Sequence, residues 1–260
     1  AKGYRALGDQ SCADAARRAV DFVLTALRKP DGTMYRRFRQ GEAAFPGYLD
    51  DYAFLVWGLI ELYEATFDVM YLEEAVTLNR TMMDLFKDET GGGFFFTGKE
   101  NEALISRSKE LYDGALPSGN SVVAMNLLRL SRMTGNVDLE KEAGEVMRVF
   151  SGPVSQLPMG YTQFLSALNF MIGPNQEIVI AGDPSHPDTR AVVSLVHRKF
   201  LPNTVVVLKS GGAEDKRLLT LSPFIAEMST IKNQTTVYLC EQYACKNPIT
   251  DTADMESALL

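Results

Sequence analysis

The chain has 260 residues, 46% hydrophobic and 23% charged, ordinary usage for a folded protein with a sizeable core, and wholesale disorder is excluded. No apolar run approaches the ~20 residues that cross a bilayer. The net charge of -7, with no Lys/Arg block, argues against nucleic-acid phosphates as the main partner, and three cysteines cannot make a disulfide scaffold.

The chain opens Ala1-Lys2-Gly3-Tyr4, without an initiator methionine or a signal-peptide pattern. It reads as a fragment or processed form, and any targeting signal would lie upstream. Residues 1–7 read as the tail of a helix. A turn followed by a helix start then recurs three times: Gly8-Asp9 leads to Ala16, Phe67-Asp68 to Ala75, and Gly135-Asn136 to Ala143. Asp14, Glu73 and Glu140 are expected in the first turns, where carboxylates complement the helix dipole. The helices after these turns are amphipathic. The first carries Ala16, Ala19, Val20, Val23 and Leu27 on one face. The second carries Leu72, Ala75, Val76, Met82, Met83 and Phe86, and the third Leu139, Ala143, Val146, Met147 and Phe150.

Between them lie helices of another kind. Residues 54–62 (FLVWGLIEL) and 122–130 (VVAMNLLRL) are apolar nearly all round, as enclosed helices are, and 161–171 is a third candidate. Wet and dry helices thus alternate, which predicts a two-layer helical ring with the dry helices inside. Short links join inner to outer helices. Long links, 30–49 and 88–118, join outer to inner and gather at one mouth, the usual place for function. The six helices in view are about half of what a closed ring needs, so earlier hairpins are expected to be missing.

The pattern changes near Gly173. Residues 177–181 (EIVIA) and 203–208 (NTVVVL) read as buried strands flanking a helix over 189–200, which predicts a parallel pair with a crossover. A further helix is expected over 222–231, a third strand over 235–240, and a polar tail over 248–260. The predicted class is mainly α, a partial α/α toroid over 1–172, with a small α/β unit over 173–247.

Three segments carry candidate chemistry. Tyr48-Leu49-Asp50-Asp51-Tyr52 opens an inner helix. Its acids serve either as general acid and base on a sugar or as a cap and a first-turn carboxylate. Tyr112-Asp113-Gly114-Ala115-Leu116-Pro117-Ser118-Gly119-Asn120 also precedes an inner helix, with Ser118 or Asn120 as cap and Asp113 projecting at the same mouth. Gly91-Gly92-Gly93-Phe94-Phe95-Phe96-Thr97-Gly98 lacks the Gly-Lys-Ser/Thr of a phosphate loop; it reads as a hairpin arm whose aromatics either stack on sugar or pack the loop. The Gly182-Asp183-Pro184 turn is either a plain strand-to-helix connection or an anion site. Cys240 and Cys245 have neither C-x-x-C nor zinc spacing. Cys12 reads as packing. His186 and His197 both fall outside the predicted ring, and no metal constellation is visible.

Five segments occur in order: Tyr48-Leu49-Asp50-Asp51-Tyr52-Ala53, Gly91-Gly92-Gly93-Phe94, Asp113-Gly114-Ala115-Leu116-Pro117-Ser118-Gly119-Asn120, Val179-Ile180-Ala181-Gly182-Asp183-Pro184, and Cys240-Glu241-Gln242-Tyr243-Ala244-Cys245. Together they resemble the spermatogenesis-associated protein 20 family and its bacterial thioredoxin-domain relatives, over nearly the whole chain. The resemblance implies an upstream thioredoxin-like domain, absent from this chain, followed by a toroid similar to six-hairpin glycosidases and sugar epimerases. It implies a role in spermatogenesis or fertility, and carbohydrate chemistry by analogy of fold. Epimerases of that fold use histidines inside the ring, which this sequence lacks.

The expected function is therefore a non-catalytic toroid that binds a carbohydrate or a protein partner. The alternative is a glycosidase-like enzyme using Asp50, Asp51 and Asp113. Tyr52, Phe94, Tyr112 and Asn120 are the candidate substrate contacts, and Cys240 with Cys245 the candidate redox pair. No cofactor, metal, nucleic acid or transmembrane segment is expected.

Overall fold

The computed structural model describes residues 1–102, 105–241 and 244–258. Helices dominate. α1 (Lys2–Leu7) and α2 (Gln10–Ala26) are followed by a hairpin, β1 (Tyr35–Arg39) and β2 (Glu42–Pro46), then by α3 (Leu49–Thr66), α4 (Val69–Phe86), α5 (Gly119–Thr134), α6 (Val137–Gln156) and α7 (Thr162–Ile172). α3 and α5 pack side by side, each backed by the helix that follows it, and α7 packs on α5. The segment 122–130 is enclosed, with Val122, Val123, Leu127 and Leu130 of α5 fully buried; in 54–62, Val56, Leu59, Ile60 and Leu62 of α3 are fully buried, while Phe54, Leu55 and Trp57 are half-buried and Gly58 is exposed.

The threefold turn has a common structural root. Gly8, Phe67 and Gly135 end α1, α3 and α5 in the left-handed conformation, which closes the helix by returning a backbone N–H to its last turn. The next residue, Asp9, Asp68 or Asn136, then caps the following helix by accepting the N–H of Ser11, Met70 or Asp138. The first-turn expectation needs correction for two of its three acids. Asp14 and Glu73 lie beyond the first turns of α2 and α4, and Glu140, with Asp138, sits in that of α6.

The remaining chain forms β3 (Gln176–Ala181), α8 (Pro187–Arg198), β4 (Thr204–Lys209), α9 (Asp215–Leu221), β5 (Thr236–Glu241), β6 (Ala244–Cys245) and α10 (Thr252–Ala258). The sheet order is β4-β3-β5-β6. β3 and β4 are parallel, as the strand-helix-strand pattern predicts, and β5 runs antiparallel to β3. Because side chains alternate along a strand, the sheet has two apolar faces. Val179, Val205, Val207 and Cys240 join the core of the helices. Ile178, Ile180, Val206 and Leu208 pack with Val192 and Val196 of α8 and Met255 of α10.

Several expectations fail in detail. The helix expected over 222–231 is instead α9, upstream, and a single 3-10 turn at Pro223–Ile225. Proline has no N–H and holds the preceding Ser222 out of helical geometry. The expected polar tail contains α10, drawn in by Met255; residues 259–260 lie outside the described residues. The hairpin stands at β1–β2, not at 91–98. There Phe94 makes one bridge to Lys87 and is wholly buried, with Phe95 and Phe96 half-buried.

Candidate functional site

The N-termini of α3, α5 and α7 meet at one rim, and carboxylates stitch them together. Asp113 is 9% exposed and both its oxygens are engaged. Oδ1 accepts the Ser118 N–H at 2.9 Å, at the start of α5. Oδ2 accepts the N–H groups of Gln163 at 2.9 Å and Phe164 at 3.2 Å, in the first turn of α7. One side chain thus satisfies three backbone donors that two helix starts would otherwise leave orphaned.

Asp51 closes a capping box on α3, accepting the Tyr48 N–H at 2.8 Å. Burial pushes its pKa up against that hydrogen bond and the Arg36 charge. Asp50 differs. Its Oδ1 is buried, and the Gly119 N–H at the start of α5 bonds the carboxyl. Oδ1 lies against Gly119, where a Cβ would run into this oxygen and the Leu49 side chain; the close approach of α3 to the start of α5 requires glycine there. Burial first, then the charges of Glu110 and Asp51, raise the Asp50 pKa, against Arg36 and the Gly119 N–H, which act to lower it.

The four candidate contacts separate. Tyr52 is 1% exposed; its hydroxyl accepts the Met34 N–H at 2.7 Å and burial pushes its pKa up to about 12. Asn120 is fully buried and ties loop 88–118 to α5, accepting the Phe94 N–H and donating to the carbonyls of Phe94 and Glu110. Phe94 sits in the same buried knot. Tyr112 is 64% exposed and meets Tyr161 edge-on at 6.1 Å. Tyr48, by contrast, is covered on both faces, by Phe96 at 4.9 Å and the Arg36 guanidinium at 4.4 Å. Tyr112 is therefore the candidate contact open to a ligand at the rim, with the half-buried Asp50 carboxyl beside the start of α5.

A second polar cluster lies deeper along the same helices. Glu61 Oε1 accepts from Arg129 Nη1 at 2.6 Å and Trp57 Nε1 at 3.1 Å. Glu64 Oε2 accepts from Arg129 Nη2 at 2.8 Å and Arg5 Nη1 at 2.6 Å, and its Oε1 accepts the Val206 N–H at 3.3 Å. Burial acts to raise the Glu61 pKa, but Arg129, Lys2 and Arg5 outweigh it and hold the carboxyl below its ordinary value. A cavity of about 340 Å³ beside this cluster is bordered by Trp57, Met125, Arg129, Gln163 and Ser166. The sequence reading passed over these residues. The available signal was a charge, Glu61 or Arg129, inside a helix otherwise apolar all round.

Cys240 and Cys245 face each other across β5 and β6 and are joined by a disulfide; Gln242 and Tyr243, between them, lie outside the described residues. Cys12 is a half-buried free thiol. Among the described residues, no group of three or more His, Cys, Asp or Glu side chains is placed to hold a metal ion, and no helix is long and apolar enough to cross a membrane.

Human spermatogenesis-associated protein 20 is 39% identical to this chain over 214 residues, 82% of the chain and 27% of the human protein. The chain is a homologue of spermatogenesis-associated protein 20. The mouse spermatogenesis-associated protein 20 is 38% identical over the same shares of each chain. An uncharacterized protein of Caenorhabditis elegans is 28% identical over 264 residues, 98% of this chain and 35% of the worm protein. No family model matches the chain. It spans about a quarter of the length of the spermatogenesis-associated protein 20 relatives it matches.

Proposed function

We propose that this chain is a non-catalytic, carbohydrate-binding segment of an α/α toroid in a spermatogenesis-associated protein 20-type protein. The ligand sits at the rim where α3, α5 and α7 begin. The relatives' name directs the biological role toward spermatogenesis and fertility. The observation that carries the non-catalytic reading is the engagement of Asp113 by the backbone. Three N–H groups hold its oxygens and occupy three of its roughly four acceptor sites, which fixes it as a clamp between two helix starts, and glycoside cleavage by paired carboxylates needs two working acids. Tyr112 offers an exposed ring for a sugar face, and the half-buried Asp50 carboxyl an acceptor for a sugar hydroxyl. The alternation of enclosed helices with amphipathic ones supports the toroid.

Calorimetry against a panel of oligosaccharides, paired with a turnover assay on the same panel, tests this reading. Binding without turnover, weakened about tenfold in Tyr112→Ala and Asp50→Asn, is the expected result. Hydrolysis that disappears in Asp50→Asn overturns it, as does binding of a protein alone with no sugar. The second reading, a glycosidase-like enzyme built on Asp50 with Asp51 and Asp113, rests on one observation: burial and neighbouring acids favour a protonated Asp50, as a general acid requires. A redox role for Cys240 and Cys245 is checked by thiol labelling with and without reductant. Labelling that is the same in both conditions removes it.

A further inference from the structure

Away from the rim, a cavity of about 630 Å³ opens between α1, α8 and the end of β4, a size that suits a small organic ligand. Pro184, just after β3, and Ser210, just after β4, border it. It therefore lies outside the carboxyl ends of the parallel strand pair, the position where α/β sheets hold ligands.

One face of α8 supplies the polar wall. Arg190, Ser194 and Arg198 follow one another at four-residue spacing and line the cavity, so their side chains share a helix face. Both arginines are exposed, and neither has an acid partner among the described residues. The acids and cations around them are already engaged. Glu214 pairs with Arg217. Asp215 accepts from the Ser210 N–H, the Ser210 hydroxyl and the Gly211 N–H. Arg5 pairs with Glu64, and Arg17 with Asp14. Two positive charges thus stand uncompensated at this mouth, in a chain of net charge -7.

His197 completes the wall. Its ring stacks on Phe67 at 5.8 Å and meets Tyr4 edge-on at 6.4 Å. Its Nε2 is 2.9 Å from the Glu64 carbonyl oxygen. A carbonyl accepts only, so Nε2 carries the proton and Nδ1 is left as an acceptor. Burial pushes the pKa down to about 4, and the ring is neutral near pH 7. Phe67, Val69 and Leu208 add apolar surface.

We propose that this cavity binds a small organic phosphate. The phosphate lies over Ser194 between Arg190 and Arg198, and the organic body rests against Phe67 and Tyr4 with a hydroxyl donating to His197 Nδ1. Three phosphate oxygens match two guanidinium forks and a hydroxyl better than a carboxylate does. The site is independent of the rim and of what the rim binds.

Calorimetry with phenyl phosphate, benzoate and phenol tests the assignment on the full chain. Phenyl phosphate is expected to bind at least about tenfold tighter than benzoate, with no heat from phenol in the same range. Arg190→Ala and Arg198→Ala each weaken phenyl phosphate about tenfold, and added salt weakens it further. Arg148→Ala, an exposed arginine on α6, leaves affinity unchanged. Both cavity arginines are exposed, and an unchanged melting temperature confirms that the variants fold. Absence of phenyl phosphate binding at millimolar concentration overturns the proposal. So does unchanged affinity in the Arg190→Ala/Arg198→Ala double variant, or benzoate binding as tightly as phenyl phosphate.

Discussion

The two ends of α3 carry the same chemistry in opposite states. Asp50 and Asp51 open the helix; Glu61 and Glu64 lie near its far end, with Glu61 roughly 16 Å further along the axis at the usual helical rise. Asp50 and Asp51 are half-buried, and Glu61 and Glu64 are buried. At the rim, burial and the neighbouring acids Glu110 and Asp51 outweigh Arg36 and the Gly119 N–H, and the Asp50 pKa rises. At the far end, Arg129 and Arg5 reach both glutamates, and that of Glu61 falls. Burial acts in the same direction on Asp50 and Glu61. The neighbours decide the sign, and with it whether a carboxylate holds the fold together or stays available.

The sharpest way to break this contrast is Arg129→Ala. It leaves two buried glutamates short of their shared cation, and a loss of about 3–5 kcal/mol is expected in urea denaturation. A loss below about 1 kcal/mol would mean that the far cluster is not a structural ion network. Glu64→Gln keeps the volume but leaves Arg5 and Arg129 with a weaker acceptor; a loss of about 2–3 kcal/mol follows. At the rim, Asp113→Ala orphans three backbone donors, and about 2 kcal/mol is expected to go. Asp113→Asn keeps one acceptor oxygen and turns an NH2 toward the donors of the other, and should restore only part of it.

The smallest effect is also the most specific. The raised pKa of Asp50 means that the folded state holds its proton more tightly than the unfolded chain. That contribution is complete below the ordinary value of 3.8 and is lost as pH rises through the folded value. Glu61 has the opposite sign: its contribution is present above the ordinary 4.5 and is lost as pH falls through the folded value. Asp50→Asn removes the first dependence alone. Relative to the parent, the variant should gain stability as pH rises from about 4 toward 7, read as a widening gap between their urea midpoints. A constant gap would show that the fold does not raise the Asp50 pKa.

Much of the helical plan was legible because hydrophobic period and turn chemistry are local. The run VVAMNLLRL announced an enclosed helix, and Gly135-Asn136 announced a stop followed by a cap. Asp50 and Asp51 were legible as first-turn residues for the same reason. Their roles were not. Nothing near Asp113 in sequence indicates that the N–H groups of Gln163 and Phe164, about fifty residues on, use up its second oxygen. Nor does the Phe94-Phe95-Phe96 run indicate that Asn120 draws it inward. The helix expected over 222–231 failed for a local reason visible in the sequence, Pro223.

The sequence by itself determined the turns that join α1 to α2, α3 to α4 and α5 to α6, the apolar character of α3 and α5, and that 177–181 and 203–208 pair in parallel, since each depends on neighbours a few residues away or on a crossover of fixed kind. Only the tertiary structure decided how each carboxylate is engaged, that Glu61 and Glu64 share Arg129 with α1's Arg5, and that one face of α8 looks onto a cavity with two unpaired arginines. Electrostatic state depends on charges and dielectric within a few ångströms in space, and chain order does not encode that distance.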